Sequence, residues 1–280
     1  MIRRLILFLI GLALLPLCLG LLRAILDLFP MTVIDRPPWI AAELLALCAG
    51  YLFWTAVYLI FPPSIRVYIW GHELTHALWG VLTGSQVGRI RVRDTGGSVT
   101  LSEAGVATFL APYFVPFYTV IVVLLRLLLG LFAEMDRWEP VWLFLIGFTW
   151  GFHITYTARS LLQHQPDIQH YGRIFSCTVI VALNLLVFGY LLVAATAATA
   201  NSFHRQIVAR TVPAYRETGG AIGKLARGAV RMMRSGEAGS HGIQNPEARS
   251  CDAPFCTPLS CSGCRLVGRL NTINAWRPAL

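Results

Sequence analysis

Residues 5–29 read LILFLIGLALLPLCLGLLRAILDLF, interrupted by charge only at Arg23 and Asp27. A hydrocarbon core about 30 Å thick is crossed by roughly 20 apolar helical residues, so this run is long enough to span a bilayer. Arg3 and Arg4 precede it, the order also found in a secretory signal. The apolar stretch is long for such a segment and no A-x-A site follows, so it reads as an uncleaved anchor.

Five more apolar runs follow, over residues 40–61, 65–82, 106–132, 141–162 and 174–200. Pro37-Pro38 and Pro62-Pro63 bracket the second, and Pro112 and Pro116 predict a kink in the fourth. Hydrophobic residues make up 56% of the 280, charged residues 13%, and the mean hydropathy is +0.61. A soluble domain carries about 25% charged residues, so an ordinary globular domain and a disordered chain are both excluded. The expected fold class is an all-α polytopic membrane protein with about six apolar helical segments.

Charge divides the chain in two. Residues 1–200 hold 12 basic and 10 acidic side chains, whereas residues 201–280 hold 11 and 4. This predicts a membrane domain over 1–200 and a flexible basic tail over 201–280. The positive-inside tendency places the tail on the cytoplasmic side, against anionic lipid of the bilayer. No nucleic-acid partner is expected. Cys18, Cys48 and Cys177 lie in apolar runs and read as packing residues. Cys251, Cys256, Cys261 and Cys264 cluster in the tail, as a zinc knot or a pair of disulfides would.

Between the third and fourth runs the period changes. Arg89, Arg91 and Arg93 alternate with Ile90 and Val92, Asp94-Thr95-Gly96-Gly97 follows, and Val99 and Leu101 then alternate with Ser98, Thr100 and Ser102. Two-residue alternation either side of a Gly-containing turn predicts a β-hairpin. Its apolar positions Ile90, Val92, Val99 and Leu101 are candidate substrate-binding residues, because a free strand edge pairs with an extended peptide.

The third run carries the chemistry. His72-Glu73-Leu74-Thr75-His76 is H-E-x-x-H. Residues four apart share a helical face, so His72 and His76 can direct nitrogens at one ion. Glu73 lies one residue round, placed to serve as the base on a metal-bound water rather than as a ligand. Three ionisable groups on one turn of an apolar helix are costly without such a role. A catalytic zinc needs a third protein ligand. Asp167, after Pro166, is the first choice, and His153, His164 and His170 are the rivals.

An HExxH in an apolar helix, a Gly-Gly hairpin after it and an acidic residue near a later run resemble the site-2-protease family of intramembrane zinc metalloproteases, in its compact bacterial branch. The resemblance covers roughly residues 65–200. It implies zinc (Zn2+) as cofactor, peptide-bond hydrolysis in a membrane-protein or peptide substrate, an aspartate as third ligand, and a bacterial cytoplasmic membrane. The family's Asp-Gly pair is represented here by Asp167-Ile168. Two other classes compete: a non-catalytic relative that binds membrane-protein clients, and a haem or metal-binding protein using, for instance, His76 and His153.

Overall fold

The computed structural model describes residues 2–33, 38–61, 65–93, 96–163, 165–196 and 198–240, with side chains outside 29–41 and 233–240. The elements are α1 (Ile2–Val33), α2 (Pro38–Ile60), α3 (Ile65–Leu82), β1 (Val87–Arg93), β2 (Gly96–Leu101), α4 (Val106–Phe114), α5 (Phe117–Gly130), α6 (Glu139–Leu162), α7 (Pro166–His170), α8 (Arg173–Ala194) and α9 (Ala200–Ser240). Among the described residues, four helices are long and apolar enough to cross a membrane: Ile2–Leu28, Ala42–Ile60, Asp136–Leu162 and Arg173–Ala194. Helices α4 and α5 make a fifth if they are counted as one broken span, bent by 74°. Four or five segments, not six, therefore meet that standard. The third run is helical, but Arg66, His72, Glu73 and His76 make it too polar to join them.

The predicted kink is a full break. Pro116 has no N–H to continue the α4 ladder, which ends with Val115 N–H donating to the Ala111 carbonyl (2.8 Å). The freed Tyr113 carbonyl accepts from Asn184 Nδ2 on α8 (2.8 Å) and Thr157 Oγ1 on α6 (3.5 Å). An irregular backbone at membrane depth needs such partners.

Small residues let the helices approach. A Cβ at Gly50 on α2 would lie 2.0 Å from the Phe144 carbonyl oxygen of α6, and one at Gly147 2.0 Å from that of Leu47. These positions accept no larger residue without separating the two helices. Helices α1 and α8 run side by side in the same direction. Gly11 abuts Phe175, Cys18 Sγ donates to the Thr178 carbonyl (3.5 Å), and Ala24, Ile25 and Leu28 share a core with Leu192 and Ala195. At their starting end, Arg3 lies 5.2 Å from the Tyr171 ring, next to α7. At their finishing end, Phe203 of α9 completes the core.

The expectation of a flexible tail from residue 201 is corrected here. Residues 200–240 form one helix, in which Phe203 and Ala214 are fully buried. By its internal contacts the chain divides later, into Met1–Arg227 and Gly228–Leu280. Cys251, Cys256, Cys261 and Cys264 lie outside the described residues.

The hairpin follows the alternation. Strands β1 and β2 are antiparallel, with Ile90 opposite Val99, Arg91 opposite Ser98 and Val92 opposite Gly97. Ile90, Val92, Val99 and Leu101 are half-buried, and Arg89, Arg91 and Arg93 are exposed. β2 lies on α3, where Leu101 packs against Gly80 and Gly97 against Glu73 and Ile69.

Candidate metal centre

On α3, His76 is fixed from behind. Its Nδ1–H donates to the Thr108 carbonyl of α4 (2.8 Å), which leaves the Nε2 lone pair free to point forward. His72 is held similarly from its own helix and from α6. Its Nδ1 lies 3.3 Å from the Tyr68 hydroxyl, which lies 3.0 Å from Ser160 Oγ. With Nε2 turned to the front, Nδ1–H donates to Tyr68 and Tyr68 donates to Ser160. Such outer partners set the tautomer and ring orientation of metal-binding histidines.

The third group comes from α7. Pro166 suits the first position of this short helix, and Gly172, at φ +93°, makes the turn into α8 that a side chain would strain. Ile168 anchors the helix at 2% exposure, and its carbonyl accepts from Ser176 Oγ (2.9 Å). Asp167, one residue earlier, is thereby turned to α3. Its Oδ2 lies 3.5 Å from His72 Nε2 and 3.3 Å from His76 Nε2, and accepts from the Tyr113 hydroxyl at 3.2 Å. Burial alone would raise the Asp167 pKa, but hydrogen bonds from His72 and His76, made when Nε2 of each also carries a proton, hold its carboxyl well below the usual carboxylate range.

This donor set fits a metal ion. One ligand atom from each of His72, His76 and Asp167 lies within 4.8 Å of the other two. Ligands about 2.0–2.1 Å from a tetrahedral zinc stand about 3.3–3.4 Å apart, close to the two His–Asp separations. Two imidazole nitrogens with one carboxylate oxygen suit zinc's preference for nitrogen and oxygen donors.

Glu73 lies on the wall of the same cavity, with 6% exposure. The cavity has a volume of about 490 Å³, and His72, His76, Val99, Leu101 and Asp167 line it. Gly97 brings the β2 backbone directly onto the Glu73 side chain, since a Cβ there would lie 2.5 Å from Oε1. An acid–base group, a metal-capable triad and a strand thus meet around one space.

No protein-family model, curated protein or solved structure matches this chain.

Of the residues singled out in the sequence, the structure brings together His72, Glu73, His76 and Asp167. Val99 and Leu101 join them at the cavity, whereas Ile90 and Val92 share their strand face without lining it. Among the rival ligands, His153 is buried and bonds Asn184 Oδ1 (3.2 Å), and His170 stacks on Phe109 (4.7 Å). His164 lies outside the described residues. Tyr68, Thr108, Tyr113 and Ser160 are not among the site residues the sequence points to. Tyr68 had a signal, since it precedes His72 by one helical turn; the others depend on how α4 and α6 pack.

Proposed function

We propose that the chain is an intramembrane zinc metallopeptidase that hydrolyses peptide bonds of membrane-embedded substrates. One observation carries this reading: His72 Nε2, His76 Nε2 and Asp167 Oδ2 converge beside Glu73 in a cavity walled by a strand. His72, His76 and Asp167 would hold the ion. When bound there, zinc supplies Lewis-acid polarisation of a carbonyl and a water acidified to a pKa of about 7.

The chain's own groups supply the rest. The Glu73 carboxylate takes the proton of the attacking water and gives it to the amide nitrogen as the C–N bond breaks. Its burial against β2 fixes where that proton is held. The outer bonds to Thr108, Tyr68 and Tyr113 keep the three donors aimed at one point. A spanning substrate has its amides paired internally, so it must unwind to be cut. Strand β2 then offers the unwound segment backbone partners along its unpaired edge, with Val99 and Leu101 against its side chains.

The reading extends to a multi-pass protein of a bacterial cytoplasmic membrane. It is tested by reconstituting the protein in vesicles with a tagged single-span substrate. Cleavage is expected to stop on chelation and to return with added zinc. Zinc binding with no cleavage across a panel of spanning substrates would favour the client-binding alternative, and cleavage indifferent to chelation would exclude a metallopeptidase.

A further inference from the structure

We propose that residues 200–227 of α9 form an interfacial helix that docks on an anionic phospholipid surface, at the opposite end of α1 and α8 from the metal centre.

The level of the helix follows from α1. Its uninterrupted apolar run, residues 5–22, is about 27 Å long and nearly fills a hydrocarbon core. The next two charged residues, Arg23 and Asp27, both pair with α9. Arg23 Nη1 donates to Glu217 Oε2 (2.9 Å), and Arg210 pairs with Asp27. Gly20 admits the crossing, since a Cβ there would lie 2.6 Å from Thr211 Cα. Helix α9 is therefore tied to α1 where that helix leaves the core.

The sequence of α9 is sorted to match. Phe203 and Ala214 are buried against the bundle. Beside them Val208, Val212, Tyr215 and Ile222, spaced at i, i+4, i+7 and i+14, form a neighbouring stripe that is exposed, Val208 at 63% and Ile222 at 62%. The exposed Arg205, Arg216, Lys224 and Arg227 occupy the remaining face. In water the apolar stripe would have no cover. Within the hydrocarbon core the basic face would be too costly. At the interface the stripe enters the acyl boundary and the cations meet anionic headgroups, so both are satisfied.

The test uses the full chain in nanodiscs, with an environment-sensitive fluorescent amino acid at position 212, 222 or 224. In discs containing phosphatidylglycerol, probes at 212 and 222 are expected to be quenched by lipids spin-labelled near the headgroup, and the probe at 224 by aqueous iodide. The Arg216→Gln/Lys224→Gln/Arg227→Gln protein should shift the docked-to-undocked ratio by about 10²-fold towards iodide access at 222. Wild-type protein in phosphatidylcholine discs should shift the same way. Unchanged zinc content of the variant shows that the bundle is intact. Iodide access at 222 in anionic discs would overturn the proposal. Lipid quenching at 222 that ignores both headgroup charge and the substitutions would overturn its electrostatic part and hence the assigned surface.

Discussion

Gly97 offers the sharpest local perturbation of the proposed site. A Cβ added there would lie 2.5 Å from Glu73 Oε1, 2.6 Å from Glu73 Cγ and 2.6 Å from Ile69 Cγ2. Restoring an ordinary separation of about 3.5 Å requires Glu73 or β2 to move by about 1 Å. Overpacking of this kind typically costs about 1–3 kcal/mol of stability. A misplacement of about 1 Å in a catalytic array costs on the order of 10²-fold in rate. Gly97→Ala should therefore slow cleavage by about 10²-fold while leaving zinc affinity unchanged, because the atoms nearest the added Cβ belong to Glu73 and Ile69 and not to His72, His76 or Asp167. The neighbouring Gly96 is the control, since a Cβ there meets nothing within 4 Å. Gly96→Ala should keep the wild-type rate. Rates are read on a reconstituted single-span substrate and zinc affinity by chelator competition. A wild-type rate for Gly97→Ala would refute the placement of Glu73 against β2.

Other expectations follow from the same contacts. Tyr113→Phe removes the hydroxyl that donates to Asp167 and should weaken zinc binding by about tenfold in chelator competition. Tyr118→Phe, whose hydroxyl donates to the Val67 carbonyl (2.6 Å) and not to a proposed ligand, should not. Truncation after Arg227 should leave detergent thermal stability and zinc content unchanged. Truncation after residue 199 strips Phe203 from the end of α8 and should lower stability by about 3–5 kcal/mol. Zinc affinity should fall, by up to about 10²-fold per pH unit, across the pH window in which the His72 and His76 imidazoles both take up protons, because each must shed its proton to bind. Asp167 adds nothing to that window. Its pKa is depressed, so its contribution to stability is complete above the ordinary carboxylate value and is lost only as pH falls through the lower folded value.

Much of the site was legible because its spacing is local. His72 and His76 sit one helical turn apart, so their shared face follows from the helix alone. Asp167 was legible by residue type and its place after Pro166, but its meeting with α3 depends on Ile168 docking in the core. The Thr108 and Tyr113 partners were hidden, since they depend on where a helix broken at Pro116 packs. Pro112 and Pro116 announced a kink; the full break is sustained by Asn184, about 70 residues away in sequence. In the sequence α9 reads as part of a tail because basic residues outnumber acidic ones from residue 201 on. Its apolar residues become evident only when they are sorted by face, and Phe203 becomes part of the core only once α1 and α8 lie side by side.

In the proposed reaction Glu73 performs the proton transfer at a zinc held by its neighbours. The most direct measurement compares wild type with Glu73→Gln in vesicles, following substrate cleavage and zinc content in the same preparation. The Glu73→Gln protein is expected to keep its full zinc content, with cleavage reduced by about 10²–10⁴-fold. Cleavage at the wild-type rate with zinc retained would contradict that role of Glu73.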